Sequence, residues 1–229
     1  MVAASLKKKG IRAFWSAEAF GFPGALCAFD PRDPGGVRRI LEGFPGVTHA
    51  YLREHPLGLW TTLQAPDPEA LRGDFEALRR ELGARDFLFL PGRRAFKVRV
   101  RFASSGEGSR EPRVFEPEGS EELSPSWVEA SEGAFPLVEE PFDALGAPEG
   151  IPGDRILGAF RSAARGGRLR RVGMTLHHAR LGFRENLLAA WEVEESRLEE
   201  SGRWASSLDA VSHCYARDPA PGWPYRLYT

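Results

Sequence analysis

The chain has 229 residues, of which 28% are charged and 42% hydrophobic, as is ordinary for a folded globular protein. Its 31 basic and 32 acidic residues give a net charge of -1, so overall electrostatics provide no attraction to nucleic acid. The two cysteines have no metal-ligand spacing, no apolar run reaches the ~20 residues that cross a bilayer, and the N-terminus lacks a secretion signal. These features predict a cytoplasmic protein without a zinc site or a membrane segment.

In chain order, the first hundred residues carry the pattern of a ferredoxin-like domain. The order β-α-β-β-α-β is typical of that arrangement, and we predict the domain over residues 12–102. Asp33-Pro34 and Asp67-Pro68 each predict a helix start, with Asp as the N-cap and Pro at the first helical position. The predicted strands are 25–29, 47–53, 58–63, 87–90 and 96–102, and the predicted helices follow the two Asp-Pro pairs.

The second half of the chain predicts three further segments. Residues 103–125 are rich in Ser, Gly, Glu and Pro, which is typical of a flexible linker. Residues 126–172 show three short helical patterns followed by a strand, as in a winged helix-turn-helix domain. Residues 173–229 predict a partial second ferredoxin-like domain, with a strand at 189–193, a helix at 197–208, a strand at 211–216 and a short final strand. The predicted fold class is therefore α+β.

One unusual stretch occurs twice in the sequence. Residues 46–53 are echoed by residues 210–217, and both copies keep the pattern Val-x-His-x-Tyr-x-Arg. Because side chains alternate along a strand, His, Tyr and Arg should project from one face of a sheet. A duplicated polar face of this kind predicts a binding surface built from two similar half-sites, which contain His49, Tyr51 and Arg53, and His213, Tyr215 and Arg217.

The repeat extends on both sides of this motif. Gly21-Phe22 matches Gly182-Phe183, and Gly58-Leu59-Trp60-Thr61 matches Arg226-Leu227-Tyr228-Thr229. The period is too long for a solenoid and indicates two homologous domains. The second copy has no counterpart of the second helix and last strand, and residues 7–22 match only the tail of the 168–183 region. We therefore expect the chain to be a fragment of a longer fused protein.

Both copies carry longer motifs. The first reads His49-Ala50-Tyr51-Leu52-Arg53-Glu54-His55 followed by Leu59-Trp60, and the second reads Ser212-His213-Cys214-Tyr215-Ala216-Arg217 followed by residues 223–229. They resemble the H-N-Y-L-R-E-H…N-L-W and S-H-C-Y-x-R-P…W-P-Y-N-L-Y-T signatures of the siroheme decarboxylases, which are built like Lrp/AsnC-type transcription factors. Residues 135–138 and 171–186 resemble further family segments. The chain looks like a fusion of two partner subunits that other members keep separate.

The resemblance implies removal of two acetate carboxyl groups from siroheme as carbon dioxide, giving didecarboxysiroheme in haem d1 or alternative haem biosynthesis. Such a reaction needs an apolar environment for the leaving carboxylate and a proton for the resulting carbanion. It implies no cofactor beyond the iron-containing substrate. It also implies a homo-oligomer, or a complementary subunit, held through the AsnC-type domains, and neither DNA nor membrane as a partner.

The resemblance also assigns candidate roles. Histidines titrate near neutral pH and are candidates for proton donation, and arginines can clamp the carboxylates that stay on the ring. A histidine could alternatively ligate the siroheme iron, whereas the protein alone predicts no metal site. The proton-donor candidates are His213, His178 and His49, and the candidate substrate-binding residues are Arg53, Arg217, Tyr51, Tyr215, Trp60, His55, Arg184 and Trp223.

Ordinary structural roles compete with these assignments. An isolated histidine on a strand is more often a hydrogen-bonded structural residue, and His55 before Pro56 is typical of a turn. Three tryptophans, Trp127, Trp191 and Trp204, are interpreted as core aromatics. Cys214 should lie on the face opposite His213, buried and inert.

Two other functions stay open at this stage. A DNA-binding regulator of the Lrp/AsnC type could contact phosphates through the basic cluster of residues 161–171, although the glycine-rich helix-turn-helix pattern and the lack of net positive charge argue against it. A tetrapyrrole-binding module without catalysis would differ from the enzyme only in turnover.

Overall fold

The computed structural model describes residues 11–16, 18–98, 123–133, 135–174 and 187–229. These residues form two compact units. The larger unit contains residues 22–98 and 187–229, and the smaller contains residues 11–21 and 123–174, without the undescribed positions. Most of the predicted linker at 103–125 lies outside the described residues.

The elements follow the chain in this order: β1 (Ile11–Trp15), a 3-10 turn (Glu18–Phe20), β2 (Gly24–Phe29), α1 (Val37–Glu42), β3 (Val47–Leu52), β4 (Leu59–Gln64), α2 (Pro68–Leu82), β5 (Phe87–Val98), α3 (Pro125–Gly133), α4 (Pro141–Gly146), a 3-10 turn (Ala147–Glu149), α5 (Gly153–Arg165), β6 (Leu169–Met174), β7 (Ala190–Trp191), a 3-10 turn (Glu195–Arg197), α6 (Leu198–Ser207), β8 (His213–Arg217) and β9 (Leu227–Tyr228).

The larger unit is built on one seven-stranded antiparallel sheet with the order β3-β4-β2-β5-β8-β9-β7. Its first part, β2-α1-β3-β4-α2-β5, confirms the predicted ferredoxin-like order. The strands of the second repeat extend the same sheet, and β8-β9-β7 repeat the spatial order of β3-β4-β2. Four antiparallel pairings separate β3 from β8, so these two motif-bearing strands run in the same direction.

Strand β5 joins the two repeats. Its residues 87–91 pair with β2 and its residues 92–98 pair with β8. The sequence prediction of two separate strands, at 87–90 and 96–102, is therefore wrong over the described residues. Pro91 cannot donate to a ladder, and it lies where the pairing with β2 ends. From Gly92 onward β5 pairs with β8, and the register of this pairing shifts between Gly92 and Arg94 and again between Ala95 and Lys97.

The two Asp-Pro pairs behave differently. Asp67 accepts a hydrogen bond from the backbone N–H of Ala70 at 2.8 Å and caps α2 as predicted. Asp33 instead accepts from the N–H of Gly35 at 2.9 Å, which closes a turn, and α1 begins only at Val37. The prediction that Asp33 caps α1 is therefore wrong, because its carboxylate is used before the helix starts.

The main core lies between the sheet and helices α1 and α2. Phe29 and Phe75 stack there at 5.4 Å between ring centroids, and Cys27 is fully buried beside them. A second cluster lies under α6 and contains Cys214 and Leu227. The burial predicted for Cys214 is confirmed, and burial raises the pKa of its thiol to about 11 and that of the Cys27 thiol to about 12.

Trp204 and Trp191 do not lie in the core as predicted, since they are 66% and 52% exposed. The offset that aligns His49 with His213 aligns Ile40 with Trp204. Ile40 packs against the core that α1 shares with α2, whereas the described residues include no counterpart of α2 over α6. Trp204 is therefore exposed on α6. Trp191 ends β7, which has two residues rather than the predicted five.

The smaller unit combines the antiparallel pair β1-β6 with helices α3, α4 and α5. Its core contains Trp127, Phe135, Ile156 and Phe160, so the burial predicted for Trp127 is confirmed. The winged helix-turn-helix assignment stays a prediction for this unit. None of the helices within the described ranges combines the length and apolar character that a membrane crossing requires.

Candidate active site

The candidate site is the face of the seven-stranded sheet opposite α1, α2 and α6, which we call the site face. Ala50 and Cys214 pack on the helix side, so the residues that alternate with them point to the site face. Both predicted half-sites are thereby brought onto one surface, with His49, Tyr51 and Arg53 on and just after β3, and His213, Tyr215 and Arg217 on β8.

The two half-sites lie side by side along the sheet. At ~4.8 Å per strand, four strand steps separate β3 from β8 by about 19 Å. Successive pairings across β4 and β2 place His49 of β3 level with Leu90 of β5. Arg217 of β8 pairs with Gly92, which lies two residues after Leu90 in β5. The His49 end of the first half-site is therefore nearest in register to the Arg217 end of the second.

Contacts within the half-sites are repeated. The Nδ1 atom of His49 lies 3.1 Å from the hydroxyl of Thr48, and that of His213 lies 3.0 Å from the hydroxyl of Ser212. Each arginine also stacks on the tyrosine two residues before it, with the guanidinium carbon 5.2 Å from the ring centroid at Arg53 and 5.4 Å at Arg217. The duplicated sequence thus encodes a duplicated arrangement of side chains.

Arg217 is the most enclosed charged group of the site face, being only 7% exposed. Its Nη1 donates to the carbonyl of Leu90 at 2.9 Å, while its Nε is buried and has no hydrogen-bond partner among the described residues. The guanidinium lies over Gly92, where a Cβ would be in ordinary van der Waals contact with Nη1 at 3.7 Å. Burial lowers the pKa of Arg217, since it disfavours the charged form. An anionic ligand group would offset this cost.

Between the half-sites, the site face is apolar and aromatic. Its cluster of buried residues includes Leu26, Leu88, Leu90 and Trp60, with Trp223 packed against them. Trp60 and Trp223 have ring centroids 5.9 Å apart, and His55 meets both rings edge-on, at 6.2 and 6.0 Å. The three predicted residues Trp60, His55 and Trp223 therefore form one cluster, although they come from different repeats.

Tyr228 holds this cluster in place and is not among the predicted site residues. Its hydroxyl accepts a hydrogen bond from the indole Nε1 of Trp223 at 2.9 Å and donates to the carbonyl of Tyr225 at 3.1 Å. The sequence repeat could have identified Tyr228 as a site residue, because Leu227-Tyr228-Thr229 is the counterpart of Leu59-Trp60-Thr61. Like Trp60, Tyr228 is buried on the site face.

We expect Tyr228→Phe to loosen Trp223 without unfolding the sheet. The phenyl ring keeps the packing, but the indole N–H loses its acceptor, at a cost of about 1–3 kcal/mol if that N–H stays buried. The expected result is a small decrease in the urea concentration at the midpoint of unfolding, together with a shift in the tryptophan emission spectrum. An emission spectrum and a midpoint equal to those of the unsubstituted protein would contradict the role of this hydroxyl.

Two predicted site residues, His178 and Arg184, lie outside the described residues, as does His177. Their assignments stay predictions. Among the side chains that the structure describes, no three His, Cys, Asp or Glu residues come together as a metal site would require.

One residue that departs from the family signature has a clear structural role. Arg226 stands where the resembling signature has Asn, and its Nε lies 3.3 Å from a carboxylate oxygen of Glu195. The same carboxylate receives two hydrogen bonds from Arg93 of β5, at 2.9 and 2.8 Å. The carboxylate of Glu195 therefore links Arg226, just before β9, to Arg93 of β5.

The basic cluster considered for DNA binding belongs to the smaller unit. Arg161 and Arg165 are exposed on α5. Arg170 donates to the hydroxyl of Ser16 at 3.1 Å, and the guanidinium of Arg171 lies 4.3 Å from the ring centroid of Phe14. Arg170 and Arg171 thus have contacts within their own unit.

The fold and the duplicated site face define an AsnC-like ligand-binding domain. Residues 19–97 and 180–229 match the family described as the AsnC-like ligand binding domain. The chain is 30% identical to the siroheme decarboxylase of Hydrogenobacter thermophilus over 224 residues, which cover 95% of this chain and 67% of that protein. It is 31% identical to the siroheme decarboxylase NirDL subunit of Paracoccus denitrificans over 196 residues, which cover 84% of this chain and 60% of that protein.

A solved structure agrees with these similarities. The crystal structure of the siroheme decarboxylase NirDL in complex with an iron-uroporphyrin III analogue matches with a TM-score of 0.64 and 26% identity, covering 96% of this chain and 64% of that chain. The chain therefore belongs to the siroheme decarboxylase family. It spans about two thirds or less of the length of these relatives.

Proposed function

We propose that this protein acts on siroheme and removes two acetate carboxyl groups from it, giving didecarboxysiroheme for haem d1 or alternative haem biosynthesis. The observation that carries the proposal is Arg217, a buried guanidinium with an unpartnered Nε on an apolar, aromatic face. A flat tetrapyrrole with carboxylates on its rim matches that combination. The relatives and the structural neighbour are siroheme decarboxylases, which supports the same substrate.

The site face offers the two conditions that decarboxylation needs. Apolar side chains such as Leu88 and Trp60 solvate an ionised carboxylate poorly, which favours loss of carbon dioxide when that carboxylate is held against them. Arg53 and Arg217 would hold the carboxylates that remain. A histidine of either half-site, His49 or His213, would then protonate the methylene carbanion left on the ring.

The proposal includes the other expectations for the working protein. It would need no cofactor beyond siroheme, whose iron one histidine could ligate, and it would act in the cytoplasm. Relatives named as subunits support an assembly of several chains. We propose that this chain pairs with a second copy or a complementary subunit through its AsnC-type domain.

Anaerobic incubation with siroheme, followed by absorbance and then mass spectrometry of the extracted tetrapyrrole, tests the proposal. We expect loss of two carbon dioxide units, and we expect His213→Ala to slow turnover by about 100-fold or more, in the range of general acid catalysis, with an unchanged fold. An unchanged rate in this variant would reject the assigned role of His213.

The same experiment separates the alternatives. A spectral shift without mass change would indicate a tetrapyrrole-binding module. No shift, combined with salt-dependent DNA binding, would favour the regulator.

A further inference from the structure

We propose that His55 presents an N–H group to a carboxylate of the ligand and does not ligate iron. This inference rests on the proposed function for the identity of the ligand. It concerns a histidine whose sequence position, next to Pro56, is equally typical of a plain turn residue.

The backbone fixes the tautomer of His55. The amide N–H of Leu57 donates to the Nδ1 atom of His55 at 3.0 Å. An amide N–H is only a donor, so Nδ1 must carry the lone pair, and the neutral imidazole then carries its proton on Nε2. Leu57 is itself buried, so this donor belongs to an anchored turn. With Nδ1 already accepting and Nε2 protonated, neither nitrogen offers a lone pair to iron.

The ring is also held where a ligand can reach it. Its edge-on contacts with Trp60 and Trp223 fix the imidazole beside the apolar part of the site face, and Tyr228 fixes Trp223 in turn. Yet His55 is exposed, in contrast to the buried Trp60. An oriented N–H donor at the border of an apolar surface suits the carboxylate rim of a flat ligand.

His49 provides a contrast six residues earlier. Its Nδ1 atom lies 3.1 Å from the hydroxyl of Thr48, a group that can donate or accept, so this contact is compatible with either tautomer. The backbone amide of Leu57 therefore fixes the tautomer of His55, whereas the side-chain hydroxyl beside His49 accommodates a proton on either nitrogen of that ring.

A ligand-free measurement tests the tautomer. The protein contains five histidines. A long-range proton–nitrogen correlation spectrum of protein labelled with 15N-histidine, recorded at a pH where imidazoles are neutral, would resolve them, and a His55→Gln spectrum would assign His55. We expect an unprotonated Nδ1 and a protonated Nε2. The reverse pattern would overturn the proposal whether or not the protein acts on siroheme.

Binding of iron-uroporphyrin III tests the carboxylate contact. In His55→Gln the amide N–H2 can replace Nε2–H, so we expect an affinity within about threefold of the unsubstituted protein. In His55→Met no donor remains, and we expect a loss of about 10-fold or more, as for a hydrogen bond to a charged group. Glu54→Gln, a change in the same turn, is the matched control and should bind normally.

Two results would reject the contact. Equal affinity of His55→Met and the unsubstituted protein would remove His55 from the binding site while leaving the proposed function intact. Failure of the unsubstituted protein to bind the porphyrin would reject the proposed function and the carboxylate contact together. The octamethyl ester of the porphyrin is a further check, because it has no free carboxylates. Any affinity that this ester retains should be the same for His55→Met and His55→Gln.

Discussion

Arg217→Met should lower the affinity for iron-uroporphyrin III by about 100-fold without destabilising the fold. Removing one partner of a buried charged contact typically costs 2–5 kcal/mol of binding free energy, and each ~1.4 kcal/mol is a factor of ten. Methionine carries no charge, and its unbranched side chain replaces the apolar stem of the arginine up to the position of Nε. Binding is measured by absorbance titration, and stability by urea unfolding.

The stability part of this prediction follows from the sign of the pKa shift. Burial lowers the pKa of Arg217 in the folded protein, so folding disfavours its charged form. The destabilisation is present at every pH below the lowered folded-state pKa and is relieved only as the pH rises through it. For buried ion pairs, replacement by well-packed apolar side chains is often neutral or stabilising by about 1–4 kcal/mol. Removing the buried charge of Arg217 should likewise offset the loss of its hydrogen bond to the Leu90 carbonyl, which costs about 1 kcal/mol. We therefore expect an unchanged or higher free energy of unfolding.

Two further variants sharpen this test. Arg217→Lys keeps a positive charge but loses the planar donor fork of arginine. Its affinity for iron-uroporphyrin III should therefore lie between that of the unsubstituted protein and that of Arg217→Met. Arg38→Met removes an arginine from α1, where its side chain is 68% exposed, and should leave binding unchanged. If Arg217→Met bound normally, the buried guanidinium would be a structural group and the main support for the proposed substrate would be lost.

The parts of the site that could be predicted from sequence are those that depend on strand periodicity. The period of two placed His49 and Tyr51 on one face, and the same rule applied to the second copy placed His213 there. The repeat supplied long-range information that one copy alone could not have given. Burial of Cys214 followed from the same alternation.

The parts that could not be predicted depend on pairings distant in sequence. Nothing local to Phe87–Val98 indicates that its second half pairs with β8, more than a hundred residues later. The contact of Trp223 with Tyr228 depends on how the loop between β8 and β9 folds, and hydrophobicity does not encode that path. Trp204 was assigned to the core from its residue type, whereas its exposure depends on which helix lies beside α6.

Gly46→Ala should lower the free energy of unfolding by about 2 kcal/mol or more, within the range for overpacked sites. Gly46 lies just before β3, and a Cβ there would overlap the backbone carbonyl oxygen of Gln64 in β4. A backbone atom cannot rotate away as a side chain can, so β3 would have to separate from β4. The backbone N–H of Gln64 also donates a hydrogen bond to the carbonyl of Gly46 at 2.9 Å, so a displacement of β3 would strain this bond as well.

Gly73→Ala is the matched control for this change. Gly73 is exposed within α2, and a Cβ there would meet no atom within 4 Å. Alanine is a better helix former than glycine by up to about 1 kcal/mol, so this variant should be slightly more stable. Equal stability of Gly46→Ala and the unsubstituted protein would mean that β3 tolerates displacement. Because β3 carries His49 and Tyr51, a register held so loosely could not position the first half-site for a rigid ligand.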